Sequence, residues 1–570
     1  MIPFDTAVPR VAAPPLHVGG GWLGVPLNIA RDLRGRIILL HFFAGSGLVS
    51  ARVSDELRGL QRRYGEVLTI VGVHSPRFAR ERAPAPVHDA VARLRISHPV
   101  LDDHELVNWD AYAVRVPSTL ILIDHRGRIV GDPEEGPGHM PALARAVERL
   151  IEEADRDGAL RRDPDHGESL LDVDLDTSGL AGDGELAFPS GLAVQSVAGA
   201  VSRIAIADTG NDRVLLCRPD GQLDGVLTGY YQPHGLAFDE DGSLLVCETG
   251  RDAVWRVDAG SGGRQLITDR VVAPCDVIRW GELVVIAGSG QHLVVGVAAD
   301  GAVELLAGDG AEGLRDGAAP LGASLAEPRG LAVTADGALA FVDAQSSALR
   351  VLDRPGGVVR TLIAGPANRD EPDGRREDDG LQLPLGLVAA GPELYVADTF
   401  NGRLCRWRAG RLETIPARSF SEPAAVAVLP DGRLLVADRA RQNVMRLDPG
   451  TGAVLDWDIG RPGAETPANL VPPTVLLAAD SELEVELMLE LDGDELDAGG
   501  PPPIQVHASA AAEWLLGDVR DWTADELPVQ LAIPVRRGAG RIVIEARVAC
   551  GDGTVVRERR TVQAVDVLAR

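Results

Sequence analysis

Six copies of one repeat, spread over residues 188–448, constrain the fold of this 570-residue chain more than any other feature. Each copy opens on a proline, continues with a short apolar run, and ends its second apolar run on an acidic residue. The prolines are Pro189, Pro233, Pro274, Pro328, Pro384 and Pro423. The acidic residues are Asp208, Glu248, Asp343, Asp398 and Asp438, with Gly288 at that position of the third copy. A repeat of ~40 residues with three or four short strands predicts a β-propeller, here with six blades.

The repeat has a direct physical interpretation. The proline suits the start of the innermost strand, where a missing N–H costs no ladder hydrogen bond. The acidic residue after the second strand is expected to fold its carboxylate onto nearby backbone N–H groups and fix the turn. Two copies read Asp-Thr-Gly-Asn-Asp-Arg (208–213) and Asp-Thr-Phe-Asn-Gly-Arg (398–403). In these residues the repeat resembles the NHL family of propeller blades.

The first 153 residues predict an α/β unit. Residues 37–43 and 67–73 are continuous apolar runs, as expected of strands covered on both faces. Between them Val53, Leu57, Leu60 and Tyr64 form one helical stripe, and a last amphipathic helix spans roughly residues 140–153. The lead-in to the first strand and residues 109–119 make this unit resemble a thioredoxin-like fold of the redoxin kind. The resemblance implies a cis peptide bond before Pro117.

The active-site motif of that family is missing. The Cys-x-x-Cys of the family aligns with residues 47–50, where Gly47 and Ser50 replace both cysteines, and no cysteine precedes Cys217. Thiol–disulfide exchange requires a thiolate, which a serine hydroxyl cannot replace. We therefore interpret Gly47, Ser50 and Pro117 as a degenerate, redox-dead thioredoxin site. No catalytic residue is assigned, and the domain is expected to serve structure or docking.

The domain organisation follows from these patterns. We predict a thioredoxin-like domain at 1–153, a linker at 154–169, a six-bladed NHL-type propeller at 170–460 and a C-terminal domain at 461–570. In the last, period-two alternation over residues 482–491 and a hairpin over residues 541–567 predict an antiparallel, sandwich-like β domain. The fold class is thus multidomain, α/β plus all-β. This order resembles NHL-repeat-containing proteins with an N-terminal thioredoxin-like module, in which the module keeps its Cys-x-x-Cys.

Composition narrows the classes of function. A net charge of −28 argues against a nucleic-acid surface, because phosphate binding depends on basic clusters. The start of the chain lacks the features of a signal peptide, and no apolar run approaches the ~20 residues of a membrane span. Five scattered cysteines fit a reducing compartment. We expect a cytoplasmic protein without nucleic-acid, membrane or cofactor binding.

Two hypotheses for function come from different classes. The first is a non-catalytic scaffold or binding protein that holds a protein or a small ligand at a propeller face. The alternative is a hydrolase or lyase similar to gluconolactonase-like propellers, with a metal in the central channel. Only His234 and His292 lie within the blades, too few for a three-histidine zinc site, and we expect no metal. His234 follows an inner-strand proline and is a candidate binding residue in the channel.

Two spacers between blades are enlarged, residues 307–326 and 364–383. Because loops on a rigid scaffold often provide binding surfaces, we expect both to lie on one face beside the channel. Arg375 and Arg376 in the second spacer are candidate contacts for a protein partner. A further expectation concerns ring closure. Residues 170–175 are predicted to form an outer strand that completes the sixth blade.

Overall fold

The computed structural model of the protein describes residues 10–459 apart from positions 25, 28–32, 136–138, 163–185, 198, 261, 366–379, 418–419 and 458. Beyond residue 459 it describes eight strands between residues 474 and 569. The predicted strand at 170–175 and the candidate contacts Arg375 and Arg376 lie outside the described residues. The predicted domain boundaries remain predictions.

The N-terminal unit is a six-stranded mixed sheet with helices on its faces. Its strands lie in the order β1-β4-β3-β2-β5-β6, with β2, β3 and β4 parallel and the other pairs antiparallel. The strands are β1 Trp22–Leu23, β2 Ile37–Phe43, β3 Leu68–His74, β4 Val100–Asp102, β5 Thr119–Ile123 and β6 Ile129–Glu135. The helices are α1 Leu48–Tyr64, α2 Pro84–Arg93, α3 Val107–Ala111 and α4 Met140–Arg156, with a short 3₁₀ turn at Ala79–Arg82. This is the predicted thioredoxin-like fold.

The predicted apolar pattern forms the core of this unit. All residues of β2 are buried, as expected for a central strand covered on both faces. The α1 stripe of Val53, Leu57, Leu60 and Tyr64 packs with the buried face of α4 on one side of the sheet. Helix α4 continues to Arg156, slightly past its predicted end.

The predicted cis bond before Pro117 is wrong. Among the described residues the cis peptide bond is at Ala319–Pro320, in the propeller. The chain instead reverses into β5 through Ser118, which adopts a left-handed conformation with φ +66°. The Ser118 N–H donates to the Phe42 carbonyl at 2.7 Å, so this residue joins β2 without a cis bond.

Six antiparallel sheets form the predicted propeller, each with its first strand innermost. Every blade contains four strands from one copy of the repeat. Blade one comprises β7 Gly191–Val197, β8 Ala200–Asp208, β9 Arg213–Cys217 and β10 Leu223–Leu227. Blade two comprises β11 Pro233–Phe238, β12 Leu244–Glu248, β13 Ala253–Val257 and β14 Arg264–Thr268. Blade three comprises β15 Pro274–Trp280, β16 Leu283–Gly288, β17 Leu293–Val297 and β18 Val303–Ala307.

The second half of the ring repeats this arrangement with one addition. The enlarged spacer after blade three contributes β19 Gly317–Ala318, which pairs with the outer strand of blade four. Blade four otherwise comprises β20 Pro328–Val333, β21 Leu339–Asp343, β22 Ala348–Leu352 and β23 Val358–Ala364. Blade five comprises β24 Pro384–Ala390, β25 Glu393–Asp398, β26 Arg403–Arg408 and β27 Arg411–Thr414. Blade six comprises β28 Pro423–Val428, β29 Leu434–Asp438, β30 Asn443–Leu447 and β31 Val454–Asp456.

In the five blades that have it, the acidic residue fixes the turn before the inner strand, as predicted. The Asp208 carboxylate accepts from the Ala187 N–H at 2.6 Å, and Asp343 accepts from the Ala326 N–H at 2.6 Å. The other three acids make the same bond at 2.6–2.8 Å. In blade three, where Gly288 stands at this position, the side-chain oxygen of Gln291 accepts from the Val272 N–H at 3.1 Å. An amide three residues later thus replaces the missing carboxylate.

The sixth blade obtains its fourth strand from its own repeat. That strand is Val454–Asp456, which pairs with β30. The predicted strand at 170–175 lies outside the described residues, so its part in ring closure stays a prediction. The first and last blades meet through an apolar cluster that includes Ile204 and Ile206 of blade one and Leu435 and Ala437 of blade six. Hydrophobic packing between these sheets therefore holds the ring together.

The C-terminal strands form two sheets. They are β32 Thr474–Leu477, β33 Ser481–Leu487, β34 Glu495–Leu496, β35 Ile504–Ala510, β36 Asp521–Ala524, β37 Val529–Val535, β38 Gly538–Gly551 and β39 Val556–Ala569. The predicted hairpin is the long antiparallel pair of β38 and β39, and β33 pairs with β37. The sheets are antiparallel apart from β32, which runs parallel to β39. The C-terminal region is therefore a β domain, as predicted.

Candidate functional site

The degenerate thioredoxin turn (residues 45–50) is buried and rigidly held. Ser50 is fully buried, and its hydroxyl lies 2.9 Å from the hydroxyl of Ser118. Gly47 is the N-cap of α1, with an extended φ of −86° and no side-chain hydrogen bond to the helix. Pro117 lines a separate cleft beside Trp109 and Gln345. The structure thus brings Gly47 and Ser50 together, and Ser118 rather than Pro117 contacts Ser50.

Glu81 and Arg93 fix the backbone of this turn. Glu81, which is only 2% exposed, accepts from the Ser46 N–H at 2.7 Å and from the backbone N–H groups of Arg77 and Phe78. The Arg93 guanidinium donates to the Gly45 carbonyl at 2.8 Å. Both residues belong to the Ala79–Arg82 turn and α2, so these elements hold the degenerate turn in place.

The propeller covers the turn. The Gln345 side-chain amide, from blade four, donates to the Ser46 carbonyl at 3.4 Å. The edge of Phe78 packs on Phe400 of blade five with ring centroids 5.2 Å apart, inside a buried apolar cluster. Because this contact excludes water beside the turn, the helix end that would expose a reactive thiol in a redox-active domain faces the propeller instead.

Ion pairs surround this apolar contact. Arg95 pairs with Asp212 at 2.9 Å, and Arg52 pairs with Asp252, both in turns of the first two blades. On the opposite side Arg77 pairs with Glu312 of the spacer at residues 307–326. This enlarged spacer therefore contacts the thioredoxin-like unit.

The central channel of the propeller leads towards the turn and has a volume of about 390 Å³. Its wall includes the residues that follow the six inner-strand prolines: Ser190, His234, Cys275, Arg329, Leu385 and Ala424. The inner strands approach closely here, since a Cβ added to Gly191 would lie 1.8 Å from the His234 carbonyl oxygen. Glycine at this position is therefore a packing requirement of the ring.

Between the channel and the turn lies a smaller space, which we call the junction cavity. Its lining includes Ser46, Gly47, Arg93, His234, Arg329 and Arg439. Arg329 donates to Glu327 at 3.1 Å and Arg439 to Glu422 at 2.7 Å, and both arginines are more than nine-tenths buried. The Nε of Arg329 and one terminal nitrogen of Arg439 have no hydrogen-bond partner among the described residues. Each guanidinium is therefore only partly satisfied by its glutamate.

His234 lies at the boundary between the channel and the junction cavity. Its Nδ1–H donates to the Gln232 carbonyl at 3.0 Å. Burial lowers the pKa of His234 to about 3, and the positive charges of Arg329, Arg439 and Arg93 add to this effect. The imidazole is therefore neutral at physiological pH, and the three arginines create a positive potential around it. The sequence pointed to His234 but not to these arginines.

Asp276 is a second titratable group in the channel wall. Its carboxylate accepts from the Val277 N–H at 2.9 Å and from the Leu331 N–H of the next blade at 2.7 Å. Burial raises the pKa of Asp276 to about 7, even though both hydrogen bonds favour the charged form. The neighbouring Cys275 has its pKa raised to about 11 by burial, so it is a neutral thiol at physiological pH.

In the described ranges, no group of three or more His, Cys, Asp or Glu side chains has the geometry to hold a metal ion. The helices within the same part of the chain include none that is long and apolar enough to cross a membrane.

The fold and the junction define a class of protein. The chain combines a thioredoxin-like domain with a six-bladed propeller of NHL-type repeats, and it is similar to NHL-repeat-containing proteins. It is 26% identical over 527 residues to human NHL repeat-containing protein 2. The aligned region covers 78% of this chain and 71% of that protein. It is 27% identical over 495 residues to SUPPRESSOR OF QUENCHING 1, chloroplastic, of Arabidopsis thaliana, which covers 76% of this chain. The chain spans about half, 46%, of the length of that plant relative.

No protein-family model matches the chain. Among solved structures, a gluconolactonase from Xanthomonas campestris aligns with 45% of this chain and 84% of its own at 22% identity, with a TM-score of 0.34. At this level of similarity the alignment assigns no activity to the chain.

Proposed function

We propose that this protein is a non-catalytic binding protein in which the thioredoxin-like domain closes one end of the propeller channel. One observation supports this function above the others. The turn that would hold the redox pair has Gly47 and Ser50 in place of cysteines and lies beneath the propeller. Loss of the thiols removes the chemistry, and the cover removes access for a protein disulfide. What remains is a rigid, enclosed space between two domains.

An experiment that restores the thiols separates these two effects. The unaltered protein is expected to reduce insulin disulfides no faster than buffer. A Gly47→Cys/Ser50→Cys variant should form a disulfide that dithiothreitol reduces, because the φ of Gly47 accepts a side chain. Its insulin turnover should stay near the background, since a Cβ at position 47 would lie 3.8 Å from the buried Glu327 carboxylate. Insulin turnover by the unaltered protein, lost on Ser50→Ala substitution, would contradict the proposal.

A metal-dependent hydrolase of the propeller type is the alternative. It has one supporting observation, the position of Asp276 in the channel wall, where a carboxyl group with a pKa of about 7 suits general acid–base chemistry. The arginines near His234 disfavour a cation there. Elemental analysis of the purified protein tests the alternative. The hydrolase is favoured over the binding function if the protein contains a divalent metal in stoichiometric amount and hydrolyses a lactone, and if Asp276→Asn loses both the metal and this activity.

A protein partner at a propeller face also belongs to this proposal. The spacer that carries Arg375 and Arg376 is rich in both charges, which suits recognition of a protein surface. Replacing both arginines with alanine is expected to weaken partner capture from a lysate of the native host at least several-fold, with the melting temperature unchanged. A variant with alanine at the exposed Arg354 of another loop is the control. Equal capture by all three proteins would remove this surface from consideration.

A further inference from the structure

The first turn of α1 faces the junction cavity without a capping group. The first backbone N–H groups of a helix have no partner within the helix, and its N-terminus has a partial positive charge. In a redox-active thioredoxin-like domain a cysteine thiolate benefits from this charge. Here Gly47 provides no side chain, and the first turn of α1 contains no acidic residue. The helix N-cap therefore has no anionic side chain of its own, although the Glu327 carboxylate lies 3.8 Å from where a Cβ of Gly47 would be.

Side chains from three separate elements direct further donors into the same space. Arg329 comes from blade four, Arg439 from blade six and Arg93 from α2. The unpartnered Nε of Arg329 and Nη2 of Arg439 are buried, and the Ser46 hydroxyl is buried without a partner among the described residues. Buried donors without a partner cost free energy, so a native structure normally supplies them with an acceptor.

The nearby carboxylates do not fill this role. Glu327 binds one edge of Arg329, Glu422 binds one edge of Arg439, and Glu81 accepts from three backbone N–H groups. None of them is part of the cavity lining. Burial and the charge of Arg439 lower the pKa of Arg93 to about 10, which agrees with crowded positive charge that is not fully neutralised. The carboxylates nevertheless limit the excess, so the site suits one small anion rather than a polyphosphate.

We propose that the junction cavity binds one small oxyanion, a carboxylate or a phosphate, which accepts hydrogen bonds from Arg329, Arg439 and the first turn of α1. The cavity volume of about 50 Å³ exceeds what a single water needs and fits an ion of this size. The anion reaches the cavity through the channel, because Ser190, His234, Arg329 and Arg439 line both spaces. This inference rests on the proposed binding function and names its ligand class.

Titration of the full chain tests the site. Sodium phosphate and sodium acetate are the two probes, each measured by isothermal titration calorimetry and by the melting temperature against sodium chloride at equal ionic strength. At least one of the two is expected to bind with 1:1 stoichiometry and to raise the melting temperature. The better probe identifies the ligand as a phosphate or a carboxylate.

Variants localise the binding. Arg329→Gln and Arg439→Gln are each expected to weaken it at least tenfold, whereas the exposed Arg354→Gln should leave it unchanged. Because Arg439→Gln removes one of the two arginines that pair with the buried Glu422 and can destabilise the protein, Gly47→Asp provides a second approach. It keeps every arginine and places a carboxylate at the helix N-cap, so it should abolish binding of the added anion. Its melting temperature and circular dichroism spectrum check that the fold persists beside the Glu327 carboxylate.

The results that would overturn the site are specific. Absence of binding by both probes, or equal binding by the unaltered protein, Gly47→Asp and Arg329→Gln, would disprove it. Either result would leave the insulin experiment unaffected, since that experiment depends on thiols and not on anions. Reductase activity in the unaltered protein would instead contradict the proposed function, whatever the titration shows.

Discussion

Some polar residues of the channel wall stand at positions where a single blade departs from the repeat. Gly191, Gly235, Gly330 and Gly386 occupy one register position on the inner strands, and blade three has Asp276 there. The repeat therefore gives a signal for Asp276 that the sequence analysis did not use. It could not give the pKa, because that depends on how closely neighbouring blades enclose the carboxylate.

Asp276 should make stability depend on pH near neutrality. Its folded-state pKa of about 7 lies above the ordinary value of 3.8, so the folded protein holds this proton more tightly than the unfolded chain does. The contribution to stability is therefore complete below about pH 4 and is lost as the pH rises through 7. We expect the melting temperature of Asp276→Asn, relative to the unaltered protein, to rise between pH 5 and pH 8, by an amount on the order of a few degrees.

The matched control is Asp431→Asn. A hydrogen bond from Arg433 lowers the pKa of Asp431, so its contribution changes only at more acidic pH and the difference from the unaltered protein should be constant over this range. A constant difference for Asp276→Asn as well would show that this carboxyl group does not titrate near neutrality.

The secondary-structure elements could be predicted best from the sequence, because each blade repeats the same register. The repeat placed all six sheets and the role of their acidic residues. It did not predict Gln291, since the replacement for the missing carboxylate lies at a different position of the turn. It did not predict the outer strand of blade six, since β31 is only Val454–Asp456 and has little apolar pattern of its own.

The same register also contains an unused signal for Arg439. The residue after the blade acid is a hydroxyl residue in four blades, and its side chain donates to the carbonyl of the next blade's proline; these residues are Thr209, Thr249, Ser289 and Thr399. Blade four has Ala344 at this position and blade six has Arg439. Arg439 gives up a bond that four blades make and brings a charged side chain instead, so it is a reasonable place to expect a binding residue.

At the scale of the whole molecule, docking of the two domains could not be predicted from the sequence. Phe78 lies in a short turn without apolar periodicity, and Phe400 lies in a loop between strands. The sequence around each phenylalanine is therefore typical of a surface segment. Their contact depends on the relative placement of two domains, and the two phenylalanines lie more than 300 residues apart in the chain. The junction cavity exists only because of that placement.

Phe78 should therefore control how firmly the thioredoxin-like domain covers the channel. It is 2% exposed and packs only on propeller residues within its apolar cluster, including Phe400 and Leu385. Replacing a buried phenylalanine with alanine removes about 3–5 kcal/mol of packing. We expect Phe78→Ala to increase hydrogen exchange both in the turn at residues 45–50 and in the channel mouth at residues 327–329.

The control is Phe42→Ala, which removes the same side chain from the core of the thioredoxin-like domain away from the propeller. It should raise exchange in that domain alone. If exchange in Phe78→Ala rises only around residues 78–82, the propeller holds its cover through the surrounding ion pairs and not through this apolar contact.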